Sequence, residues 1–172
     1  QAQFSMEDLP LARLSEWLEM PSPLEGLSAA EGTVRIPLRD PGLLTVSGRW
    51  RADHLKIPPV AADSAEGLIR LEEGLLKMED FHLQQGSGTA RGEIQLALAK
   101  PLHVQGTVQT HGWPIPWQER DITFYADGRA SLLVDWEQRN LEGGGDLSLA
   151  ILHQTEPVGR LRLHAQADKQ IL

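Results

Sequence analysis

The chain has no cysteine and few aromatic residues: its 172 residues include three Phe, one Tyr and five Trp. The first absence excludes disulfides, thiolate nucleophiles and cysteine-ligated zinc. It leaves the compartment open, because proteins of oxidising compartments also do without cysteine. Long apolar runs are missing too. None approaches the ~20 residues that cross a bilayer as a helix, and no secretory signal pattern opens the chain. There is no Lys/Arg run either, and the formal net charge is −8. Phosphate neutralisation drives nucleic-acid binding, so no nucleic-acid partner is expected. Charge alone offers no route onto an anionic lipid surface.

What is present is two-residue alternation. In RGEIQLALAKPLHVQGTVQTHG, residues 91–112, Ile94, Leu96 and Leu98 alternate with Glu93, Gln95 and Ala97. After Lys100-Pro101, Val104 and Val108 alternate with His103, Gln105, Thr107 and Gln109. Period two predicts half-buried strands, apolar on one face and polar on the other. The pattern recurs behind glycines at 32, 48, 67, 92, 106, 128, 144 and 159. A glycine near a strand start suits a bulge, a bend or a tight turn. LIRL, then EEG, then LLKMEDFHL reads as a hairpin inside the longest glycine gap. Short connections make neighbouring strands antiparallel, so nine or ten strands are expected as a meander over about 30–172. The spacing is too irregular for a propeller or a leucine-rich repeat. Pro37, Pro101, Pro114, Pro116 and Pro157 mark edges or strand ends.

One helix is expected, over about 9–19. Asp8 reads as its N-cap and Pro10 lies in its first turn; Leu11, Leu14 and Leu18 share a face, and Pro21 and Pro23 end it. No linker divides the chain. A start at Gln1 and an end in KQIL predict that residues 1–172 are a single segment of a longer protein. The alternation admits two architectures. One is a sandwich or barrel whose apolar faces cover each other. The other is a curved sheet that leaves an apolar trough open, which few aromatic residues would fill. Alternation looks the same in both, and on pattern alone the sandwich or barrel is the first reading.

The order of phrases resembles the recurring unit of the TamB and AsmA-like proteins. In DLPLARLSEWLEMPSPLEGLSAAEGTVRIPL a leucine-proline-leucine phrase leads to a short helix, then Leu24-Glu25-Gly26, then a glycine-led strand. In GLIRLEEGLLKMEDFHLQQGSGTARGEIQL a strand, an acidic glycine turn and a second strand re-enter through Gly88-Thr89-Ala90-Arg91-Gly92. The resemblance covers roughly residues 5–170. It implies an all-β fold with one short helix, in which a mostly antiparallel sheet curls into an open, β-taco-like apolar groove. It also implies a Gram-negative periplasmic protein, held in the inner membrane by a segment outside this chain, that takes part in moving phospholipid towards the outer membrane. Relatives connect to outer-membrane protein assembly. The type II secretion protein N has similar glycine-led strands.

On this reading the groove is lined by Ile36, Val46, Ile69, Leu71, Ile94, Leu96, Leu98, Val104, Val108, Leu147, Leu149, Leu161 and Leu163. The expected partner is phospholipid or another acyl lipid, with outer-membrane assembly or secretion proteins as further partners. Self-association through an open trough or cut sheet ends is also expected.

No catalytic site, cofactor or metal is expected. Histidines 54, 82, 103, 111, 153 and 164 show no ligand spacing. The acidic pairs fall in turns and at strand ends, where carboxylates are solvated. GGDLSLA is not a nucleophile elbow, and the triple glycine at 143–145 precedes a strand rather than a helix. WPIPW, residues 113–117, reads as a proline-fixed corner plugging a sheet end, with a sugar-stacking platform or a trough rim as alternatives. The rival functions are a scaffold that pairs through sheet edges and a carbohydrate-binding β module.

Overall fold

The computed structural model describes residues 1–17, 24–37, 44–57, 60–97, 103–117, 122–135, 140–153 and 155–170. They form ten strands and one helix, with the strands in chain order: an all-β antiparallel meander. The contacts divide into two compact units, Gln1–Gln84 and Gln85–Leu172. Curl within each unit is slight, since residue contacts among the described residues run chiefly between strands adjacent in the order.

The first unit contains β1 (Ala2–Pro10), α1 (Leu11–Trp17), β2 (Glu25–Arg35), β3 (Thr45–Ile57), β4 (Val60–Glu72) and β5 (Leu75–Gln85). β1 replaces the start of the expected helix. Asp8 is no N-cap: it adopts φ +53° where the β1–β2 register shifts between Met6 and Leu9. The helix therefore begins at Leu11, whose side chain is buried, and packs on β1 and β2. Leu18 lies outside the described residues. The expected β4–β5 hairpin is present. Glu72 pairs with Leu75 around Glu73 (φ +52°) and Gly74 (φ +76°), the doubly left-handed turn that matches strand twist.

The second unit contains β6 (Gly88–Ala97), β7 (His103–Trp117), β8 (Ile122–Asp135), β9 (Asn140–His153) and β10 (Glu156–Gln170). WPIPW is strand, not a corner: Trp113 pairs with Ala126, Ile115 with Phe124 and Trp117 with Ile122 on β8. The β6–β7 pairing stops at Thr89–His111, short of both prolines. Successive N–H groups point to opposite edges of a strand, so Pro114 and Pro116 lack donors on the same side, where no ladder is needed.

Of the recurring glycines, Gly48, Gly106 and Gly159 lie near their strand starts as expected, whereas Gly32, Gly67 and Gly128 sit mid-strand. Gly32 and Gly48 face each other on β2 and β3, and a Cβ on Gly32 would stand 2.2 Å from the Ser47 carbonyl oxygen. A Cβ on Gly67 would meet the Trp50 indole nitrogen at 3.0 Å and the Phe81 Cα at 3.1 Å. The Trp50 ring therefore fills the gap that the missing side chain leaves, as aromatics do beside strand glycines.

Four odd-numbered strands share a device that alternation alone does not reveal. Asp8 in β1, His54 in β3, Asp80 in β5 and Gly112 in β7 all have positive φ. Each lies at a register shift against a neighbouring strand. Each is followed by a large apolar residue: Leu9, Leu55, Phe81 and Trp113. Three of these are buried, with Leu55 at 7%, Phe81 at 5% and Trp113 at 8% exposure. Their neighbours are small: Leu55 pairs with Ala62 and Trp113 with Ala126, while Phe81 lies against Gly67. With Leu11, Ala52, Ala62, Ala65, Ala90 and Ala126, these three large residues make up the buried apolar set among the described residues. A bulge bends the strand and re-aims one side chain, and here it places each large residue over a small one. The β7 bulge is fixed from below, because Gly112 N–H donates to Asp127 Oδ1 at 2.9 Å and His111 Nδ1 stands 2.8 Å from the same oxygen.

Candidate functional site: an open apolar face

Cross-strand register sorts the candidate residues. In the first unit Val46 lies between Val34 and Leu71, Leu71 pairs with Leu76, and Ile69 lies between Gly48 and Met78. In the second unit Leu96 pairs with Val104, Ile94 with Gly106, and Val108 lies between Gly92 and Ala130. On β9 and β10, Leu147 pairs with Leu163 and Leu149 with Leu161. The β8 residues Gly128 and Ala126, opposite Leu147 and Leu149, have the parity of Ala130 and Leu132. One parity therefore collects the lining set within each unit. Ile36 lies just beyond the end of β2 and is 55% exposed. Leu98 lies outside the described residues.

None of the described lining residues is buried. Val46, Ile69, Leu71, Ile94, Leu96, Val104, Val108, Leu147 and Leu149 are half-buried, and Leu161 and Leu163 are exposed at 43% and 41%. The same face carries apolar residues that the alternation analysis passed over: Phe4, Met6, Val34, Leu76, Met78, Phe124, Leu132 and Ile151. Phe4 and Met6 were passed over because no strand is expected ahead of the helix at about 9–19, whereas β1 runs over Ala2–Pro10. Phe124 was passed over because the strand there is expected to start near Gly128, whereas β8 begins at Ile122. Two polar side-chain atoms on this face, Trp50 Nε1 and Thr110 Oγ1, are buried without a hydrogen-bond partner.

The opposite face is polar and held by cross-strand pairs. Lys56 Nζ lies 3.2 Å from Glu25 and Arg70 4.0 Å from Glu79. Thr33 and Ser47 share a hydrogen bond of 3.0 Å, and Arg91 donates to Gln109 Oε1 at 3.0 Å. His164 Nδ1 stands 2.7 Å from Asp146. These side chains are exposed, so each pair adds about 0–1 kcal/mol. They fix strand register more than they add stability. Open depressions lie along the rows of this polar face, lined by Ser5, Glu31, Arg49 and Leu68 in the first unit and by Gln105, Ser131 and Glu142 in the second.

Among the described residues no three His, Asp or Glu side chains gather as metal ligands. Trp113 is buried and presents no ring face to a sugar. No family model, curated protein or solved structure matches this chain. The likeness to the TamB and AsmA-like proteins thus rests on the sequence phrases alone.

Proposed function

We propose that the chain is a non-enzymatic segment of a periplasmic protein of the TamB and AsmA-like kind, and that it shelters phospholipid acyl chains along its apolar face on their way to the outer membrane. The observation that carries this reading is the state of the lining residues: they share one parity in each unit, and none of those described is buried. A sandwich would have sunk them under a second layer. Acyl chains laid on this face remove apolar surface from water at about 0.8 kcal/mol per buried CH2. Contact spread over half-exposed Leu, Val and Ile gives retention without a tight pocket, so a lipid slides rather than lodges. Headgroups stay in water. In the assembled protein the sheet curls further, and the face becomes the floor of a groove. Localisation in the periplasm, with the inner-membrane anchor outside this chain, belongs to the same reading.

The test is photo-crosslinking from a probe at Leu96 and from one at its polar-face neighbour Gln95, in the presence of phospholipid vesicles. Lipid adducts at Leu96 and none at Gln95 are expected. Equal labelling at both positions, or at neither, overturns the proposal.

A further inference from the structure

Two donors on the apolar face have no acceptor. Trp50 Nε1 in the first unit and Thr110 Oγ1 in the second are buried without a hydrogen-bond partner. Unmet buried polar atoms are rare in folded proteins, so each asks for a partner that the chain itself does not supply. The two places are built alike. Trp50 pairs with Ala30 on β2 and with Gly67 on β4. Thr110 pairs with Ala90 on β6 and with Gly128 on β8. Two residues along the strand, on the same face, stand Gly48 and Ala52 beside Trp50 and Val108 beside Thr110. None of these neighbours has a side-chain acceptor, and none is charged.

We infer that the two atoms donate to the ester carbonyls of acyl lipids, so that the apolar face takes acyl esters in preference to bare or ether-linked hydrocarbon. The inference rests on the acyl-sheltering reading and adds the polar contact which that reading lacks. The surroundings define the ligand. It must bring an acceptor, because an indole N–H only donates. The acceptor must be uncharged, because a carboxylate drawn out of water here would find no cation among these neighbours. It must also carry an apolar chain, because the half-buried Ile69 and Leu71 in the first unit and Val108 and Leu147 in the second share the face. A carbonyl at the head of an acyl chain meets all three requirements. Access needs only side-chain rotation. Trp50 and Thr110 are half-buried as whole residues, so a change of rotamer turns either atom towards a ligand while the ladders stay closed. Gly67 leaves the indole its room to turn, since a Cβ there would stand 3.0 Å from Nε1.

The test sets a short-chain diacyl phosphatidylcholine against its dialkyl ether analogue, each titrated below its micelle concentration and followed by native mass spectrometry. The unaltered chain should bind the ester lipid several-fold more tightly. Trp50→Phe combined with Thr110→Val keeps the face apolar and removes both donors. In that double variant the ester lipid should fall to the affinity of the ether lipid, whose own binding stays as it was. Thr110→Val alone removes an unmet polar atom and should melt no lower than the unaltered chain, so its share of the change is read in a folded protein. The indole N–H resonance of Trp50, assigned by its loss in Trp50→Phe, should move downfield with the ester lipid and not with the ether. Equal binding of the two lipids by the unaltered chain, or an ester preference that survives the double variant, overturns the inference and leaves the acyl-sheltering reading in place. Binding of neither lipid overturns both.

Discussion

Backbone conformation at single residues carries much of this fold. Gly128 has φ +155°, and a Cβ there would stand 2.1 Å from the Asp146 carbonyl oxygen. No rotamer relieves a clash with backbone, so Gly128→Ala should cost about 1–3 kcal/mol, read as a fall in denaturation midpoint. Gly159 is the contrast. It has no atom within 4 Å of its would-be Cβ and no positive φ. Gly159→Ala should raise stability by about 0.4–1 kcal/mol, through the unfolded chain alone. Asp80 holds a left-handed conformation that costs an L-residue about 1–2 kcal/mol. Asp80→Gly should therefore be neutral or stabilising, whereas Asp80→Val should destabilise and free Phe81 from its place over Gly67. Chemical denaturation of the variants separates these outcomes.

At the scale of the element, the bulge row and the open face should respond differently to truncation. Phe81→Ala removes a side chain that is 5% exposed, and about 3–5 kcal/mol should go with it. Leu163→Ala trims a residue that is 41% exposed and should cost less than about 1 kcal/mol. Equal losses in thermal melts would mean that the face is covered in solution. This division also marks what the sequence made legible. Alternation identified β2 to β10 and the parity of Leu96, Val104, Leu149 and Leu163, because a period of two leaves its trace in side-chain chemistry alone. Bulges leave a fainter one, since an extra residue in one strand is defined only against its partner. The triplets EDL, DHL, EDF and HGW that end on Leu9, Leu55, Phe81 and Trp113 are that trace: a residue tolerant of positive φ before one large apolar residue. β1 was missed because Asp8 and Pro10 imitate a helix start. WPIPW misled because two prolines suggest a break unless it is known that the β6 ladder ends before them.

For the whole molecule the decisive contrast is between an exposed apolar face and a filled interior. Leu96→Asp or Leu149→Asp should leave secondary structure intact and shift stability modestly, because a carboxylate on a half-buried surface keeps much of its water. In a closed core the same unpaired charge would cost several kcal/mol and unfold the domain. Lipid adducts from a neighbouring probe should fall in both variants while circular dichroism is preserved. Unfolding of both would make the sandwich the better description.

Strand order and chain order coincide, and this bears on how the protein forms. Each ladder closes a loop no longer than one hairpin, so no distant segment must be found before pairing begins. A sheet with such local contacts folds quickly for its β content, because little loop-closure entropy precedes each gain. Pairing can advance one strand at a time as the polypeptide leaves the ribosome, every finished hairpin templating the next. Inserting or deleting a hairpin alters the length and leaves the remaining ladders as they were, the additive behaviour of repeat proteins. A gene encoding such a chain lengthens by duplication without first having to redesign a core.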